Sequence, residues 1–141
     1  MACAILAAMS EQNVAIVRRA LSAWDTGELD RILEVMHADF VAEVPPEVSA
    51  EPDSYRGHSG VRRYLASFQH SMEDIHFEGE RFWDAGESVV VELLLTARGR
   101  QTSIAVEQRT AGVWTVRDGL VYRIRAYASL ADALADVQLA E

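Results

Sequence analysis

The order of the hydrophobic periodicities constrains this chain more than any other feature. Before residue 72, apolar residues recur at helical spacing. From residue 75 to residue 127 the pattern changes to strands divided by short turns. Ser10 is a plausible N-cap with Glu11 behind it, and Val14, Val17, Leu21 and Trp24 then form one stripe of a helix that Asp25-Thr26-Gly27 ends. Leu29, Ile32, Leu33 and Met36 mark a second helix over Glu28–Met36. "HADFVAEV" reads as a strand stopped by Pro45-Pro46, and "PPEVSAEPDSYRGHSG" reads as one long loop. Val61, Tyr64, Leu65 and Phe68 carry a third helix, Ser59 to Ser71. "IHFEGERFWDAGESVVVELLLTARGR" holds two strands with a turn at Asp84-Ala85-Gly86. "TSIAVEQRTAGVWTV" and "LVYRIRAYA" follow, joined at Asp118-Gly119, a pair suited to a tight hairpin. "SLADALADVQLAE" closes the chain as a short capping helix. Helices gathered first and strands second argue for an α+β fold with a mostly antiparallel sheet.

Bulk properties narrow the function. A chain of 141 residues is enough for one hydrophobic core. Net charge is −9 and the basic residues are scattered, which argues against a phosphate-backbone binder. Cys3 is the single cysteine, so no internal disulfide and no multi-cysteine metal site can form, as suits a reducing cytoplasm. His37, His58, His70 and His76 show no metal-ligand spacing. "MACAILAAMS" lacks a positive leading region and is too short to span a bilayer. Residues 1–9 are therefore expected to be a flexible leader, and residues 10–141 the domain. A cytoplasmic location is expected, with no cofactor, metal, nucleic acid or membrane partner.

The ordered elements resemble the nuclear transport factor 2-like superfamily, and within it the SnoaL-like group. "NVAIVRRALSAWDTGELDRILEVMHADF" resembles the opening helix pair, "YRGHSGVRRYL" the loop into the third helix, "VWTVRDGLVYRIRAY" the closing hairpin and "LADAL" the tail. The resemblance implies a strongly curved, mostly antiparallel sheet wrapped around three N-terminal helices as a cone with a deep pocket. It also implies a range of chemistries that fold alone does not choose between. Ketosteroid isomerase machinery does not carry over: Ala20, Pro45 and Ala111 fall where a tyrosine, a base and a donor acid belong. The epoxide hydrolase triad and the polyketide-cyclase acid are likewise missing near Ala126, and Glu92 is the only acid on its strand.

Strand alternation, set in phase by the same overlay, puts Ala105, Glu107, Arg109, Ala111 and Val113 on the concave face with Tyr122, Ile124 and Ala126. Glu43 also falls inward. So does Glu92, paired with Arg109, if the intervening turn centres on Arg100-Gln101. A polar cluster of Glu107 and Arg109 with Glu43 or Glu92 is thus expected on the pocket wall, as orienting groups or as acid and base. The competing reading is a cross-strand ion pair that only stabilises the sheet. His37 joins the catalytic candidates as a proton shuttle, against a plain helix-capping role. Trp24, Tyr64 and Phe68 are expected to serve both core and ligand, with Tyr122 and Ile124 beside them. Gly112 is a candidate bulge. Trp83 and Trp114 are placed on the outer sheet face or at strand ends, and Trp114, Arg123, Arg125 and Tyr127 are expected to form a convex homodimer face. The functional expectation is a pocket for a small apolar or mixed-polarity molecule, used by a cofactor-independent acid–base enzyme of isomerase, cyclase or hydrolase type. The alternatives are a non-catalytic carrier and a partner-binding adaptor.

Overall fold

The computed structural model describes residues 2–46 and 53–138. The chain forms α1 (Ala2–Thr26), α2 (Leu29–Val35), β1 (Met36–Val44), β2 (Asp53–Arg56) and α3 (Gly57–Ser71). It continues through β3 (Met72–Ala85), β4 (Ser88–Gly99), β5 (Ala105–Arg117), β6 (Leu120–Tyr127) and α4 (Leu130–Asp136). The six strands make one sheet in the order β2-β1-β6-β5-β4-β3, parallel only between β1 and β6. This is the α+β architecture the sequence pattern implied, with the curved sheet that the resemblance implied.

Local chemistry explains the boundaries. The stripe of α1 is buried at Val17, Leu21 and Trp24. The helix stops where Gly27 takes a φ of +69°, its N–H reaching Trp24 O at 3.1 Å, while Thr26 Oγ1 accepts from Glu28 N. Because α1 starts at Ala2, Ser10 lies within the helix instead of capping it. Asp118 and Gly119 both have positive φ between the paired ends Arg117 and Leu120, the two-residue hairpin expected there. The β3–β4 turn is Gly86-Glu87, one step later than expected, because Ala85 already pairs with Ser88. The long loop is not all loop: its end forms β2, antiparallel to β1, and its middle, 47–52, lies outside the described residues.

Register shifts bend the sheet. They fall in β3 between Glu73 and His76 and between Gly79 and Arg81, in β6 at Tyr122, which the β5 pairs Thr115–Arg123 and Val116–Val121 skip, and between Met36 and Val41 of β1 where it pairs with β6. Gly112 is not a bulge; it pairs regularly with Val91 and Ala126. Its reason is space, since a Cβ there would sit 3.0 Å from the Trp114 indole nitrogen.

Two cores result. The main one lies on the concave face, where Val17, Ile32, Phe40, Ala42, Val61, Val89, Val91 and Val121 pack under α1, α2 and α3. The second lies on the convex face, where Ala133 and Leu134 of α4 cover Val90, Ala111 and Val113, flanked by Trp83 and Tyr127. Ser129 caps α4 by accepting from Asp132 N at 3.2 Å, and Tyr127 donates to Asp136 at 2.6 Å. Among the described residues no helix is long and apolar enough to cross a membrane.

Candidate ligand cavity

The sheet curves further than α1 and α3 can fill. A cavity of about 480 Å³ remains between them, inside the range of small-molecule sites. Leu21 and Trp24 come from α1, and Tyr64, Ser67 and Phe68 from α3. The sheet supplies Phe77 of β3, Leu93 and Leu95 of β4, Gln108, Thr110 and Trp114 of β5, and Ile124 and Ala126 of β6. Spacing explains the helix side: positions 21 and 24, and 64, 67 and 68, each share one helix face. Alternation explains the sheet side, where Gln108, Thr110, Gly112 and Trp114 follow one another at every second residue.

Trp24 is the centre of an aromatic cluster. Its ring meets Tyr64, Phe68 and Phe77 edge-on, at centroid distances of 5.4, 6.5 and 6.2 Å. Tyr55 stacks on Tyr64 at 4.8 Å. Such pairs add about 0.5–1.5 kcal/mol each beyond the area they bury, enough to hold the wall rigid around an open space. The Tyr64 phenol is pushed well above its ordinary value, first by burial and then by Tyr55, so it remains an O–H donor at neutral pH. Trp24 is only 4% exposed, and its Nε1 is buried with no hydrogen-bond partner among the described residues. Ser67 Oγ is occupied, donating to Tyr64 O at 2.6 Å. His70 and Ser71 form an exposed rim, fastened where Arg100 donates to Gln69 O at 2.6 Å and to Ser71 O at 3.0 Å. The described lining includes no aspartate, glutamate, lysine or arginine.

The expected polar cluster is therefore not on this wall. Glu92 pairs with Ala111 and Leu94 with Arg109, so the β4–β5 turn centres one position later than supposed. The larger error was the phase of β5: Gln108 and Thr110 face inward, and Glu107 and Arg109 face out. Their side chains are 65% and 57% exposed. Arg109 Nε donates to Glu80 at 2.8 Å, a hydrogen bond that holds the Glu80 carboxyl below its ordinary range, and Arg109 Nη1 lies 3.7 Å from Glu107. Glu92 is bound by Arg81 at 2.9 Å, and Glu43 by Arg123 at 2.7 Å, both on the convex face. Trp114 is corrected in the opposite sense, buried at the cavity instead of outside.

The phase error has a physical source. Ala111 and Val113 look like core positions, and they are, but of the second core under α4. That docking also changes the proposed dimer face, because Arg125 and Tyr127 are engaged by Asp136. His37 and Tyr122 do not reach the cavity either. His37 accepts from Asp39 N through Nδ1, directs Nε2 to Asp118 at 3.2 Å, and meets the Tyr122 ring edge-on. Arg117 covers the same ring at 3.8 Å. Of the sequence candidates, Trp24, Tyr64, Phe68 and Ile124 do line the cavity. Leu93, Leu95, Gln108 and Thr110 were missed. An apolar face on the tail helix, which needs an apolar strip to cover, was the available signal that β5 is buried on both sides.

Comparison with known proteins places this geometry. The family model described as SnoaL-like domain matches residues 17–124. No curated protein matches the chain. Among solved structures, a hypothetical protein with a ketosteroid isomerase-like fold from Catenulispora acidiphila, in complex with trimethylamine, is 18% identical. The match covers 89% of this chain and 93% of that one, with a TM-score of 0.70. TerC co-crystallized with polyporic acid is 18% identical over 90% of this chain and 98% of that one, with a TM-score of 0.73. An NTF2-like protein from Burkholderia xenovorans is 26% identical over 90% and 95%, with a TM-score of 0.66. These are likenesses of fold.

Proposed function

Because the chain belongs to the SnoaL-like domain family, we propose that it takes up a small, largely apolar molecule in the hollow between the sheet and α1 and α3, as a binding protein. The observation that carries this reading is the composition of the wall. Aromatic and aliphatic side chains supply most of the wall around about 480 Å³, with Ser67, Gln108 and Thr110 as polar members and His70 on the rim, and no aspartate, glutamate, lysine or arginine is among the described lining residues. Such a wall favours transfer of apolar surface from water, at roughly 25 cal/mol per Å². General acid–base catalysis needs a titratable group within hydrogen-bond reach of the reacting atom. Glu43, Glu92 and Glu107, the acids expected to serve, are held in ion pairs on the other face. The polyporic acid bound to TerC and the trimethylamine bound to the Catenulispora protein support small-molecule uptake by this fold.

The test is equilibrium binding of 1-naphthol followed by tryptophan fluorescence. Saturable binding at one site is expected in the wild type, with loss of binding in a Leu93→Trp variant that still melts cooperatively. Non-saturable binding, or binding untouched by filling the hollow, would count against the reading. Self-association through the convex sheet face is part of the same proposal. Sedimentation should show a dimer at micromolar concentration, and a monomer there contradicts it.

A further inference from the structure

We propose that the ligand of this cavity is an uncharged amphiphile, its apolar body seated toward Trp114 and Ile124 and its hydroxyl group hydrogen-bonded at Thr110 and Gln108. The inference rests on the binding reading above and adds the chemical class and the direction in which the molecule lies. Along the inner face of β5 the lining changes character: Gln108 and Thr110 come first, then Gly112 and Trp114. The polar end lies toward the rim. Gln108 pairs with Leu95 and Leu95 with Phe77, and Phe68 of α3 meets Phe77 edge-on at 5.1 Å. The C-terminal half of α3 therefore stands over the Gln108 end, and it leads into the exposed His70 and Ser71. The apolar end is closed. Trp114 and Ile124 pair directly across β5 and β6, and they and Val44 are 6%, 4% and 5% exposed. At about 3.3 Å per residue, Thr110 and Trp114 stand about 13 Å apart along the strand.

The chemistry of the two polar side chains sets the head group. Both are half-buried on the inward face and line the hollow. A threonine hydroxyl donates one hydrogen bond and accepts others, and a glutamine amide carries two N–H donors and a carbonyl oxygen. Together they suit a group that also donates and accepts, and a hydroxyl does both. The amide has capacity for a protein neighbour and a ligand at once. An ionised head would give up its hydration to a wall whose described residues include no aspartate, glutamate, lysine or arginine to pair with it. A wholly apolar ligand would cover Thr110 and Gln108 without replacing the hydrogen bonds that water gives them. In the rival account these side chains only hold water at a wet mouth, indifferent to what enters.

A matched pair of probes separates these accounts. 4-Butylphenol and butylbenzene share a skeleton and differ in one hydroxyl. Thr110→Val keeps the side-chain shape and removes the polar group. It should weaken 4-butylphenol about fivefold to tenfold, the range of one net hydrogen bond, and leave butylbenzene within about twofold. Gln108→Leu should act in the same direction. The orientation is read from crystals grown with 8-bromo-1-octanol, whose bromine is located by its anomalous scattering. Bromine beside Trp114 and Ile124 is the expected result. Bromine at His70 and Ser71, or equal effects of Thr110→Val on the two probes, overturns the inference. Saturable butylbenzene binding alongside that result leaves the cavity reading standing, whereas binding of neither probe removes both. If Thr110→Val does not fold, the bromine position in the wild-type protein decides alone.

Discussion

At the residue scale, the side chains that looked chemical and the side chains that enclose space are different sets. Glu107 and Arg109 are solvent-facing members of a convex ion-pair group with Glu80. Exposed pairs of this kind contribute little to stability. Glu107→Gln should therefore leave 1-naphthol affinity within about twofold and the melting temperature nearly unchanged; a large loss of affinity would return Glu107 to the site. Tyr64 makes the opposite prediction. Burial raises its pKa in the folded chain above the ordinary 10.0. The neutral phenol's contribution is complete below the unfolded pKa and is lost as pH rises toward the folded one. Urea midpoints should fall from about pH 10 upward in the wild type. Tyr64→Phe should flatten part of that fall, the remainder belonging to Tyr127, whose pKa is also raised, chiefly by burial and then by its bond to Asp136. An identical alkaline decline in the variant would contradict the burial of Tyr64.

At the element scale, α4 and the β2–α3 junction hold the cone closed. Leu134 is 2% exposed and joins α4 to Val90 and Val113. Leu134→Ala should cost about 2–4 kcal/mol, read as a lower urea midpoint at unchanged slope. Gly60 lies so close to β2 that a Cβ would come within 2.7 Å of the Tyr55 carbonyl carbon. Gly60→Ala must move backbone, and a loss of about 1–3 kcal/mol is expected; no loss would mean that α3 and β2 are less tightly docked. These two elements also mark where the sequence was and was not legible. The α1 stripe, the Asp118-Gly119 hairpin and the Ser129 tail helix are local patterns, and each is found where its periodicity or turn chemistry put it. The strand β2 is four residues beside a Pro- and Ser-rich stretch, and it exists through pairing with β1 and support from α3. The phase of β5 was hidden for the same reason: which side of a strand faces the hollow is decided when α4 covers the other side, a contact no local window contains.

At the scale of the whole molecule, the fold keeps its apolar surface in two layers and leaves the inner one incompletely filled. Bulges in β3 and β6 bend the sheet, α1 and α3 bridge it, and the aromatic cluster around Trp24 keeps the bridge from collapsing. A ligand that fills the space should raise the melting temperature with its concentration, since only the folded chain binds it. The most direct measurement of that hollow is diffraction from a crystal pressurised with xenon, which enters dry apolar cavities. Xenon density bounded by Trp24, Phe68, Phe77 and Leu93 is the result this account predicts. Those four side chains packed against one another, with no xenon between them, would contradict it.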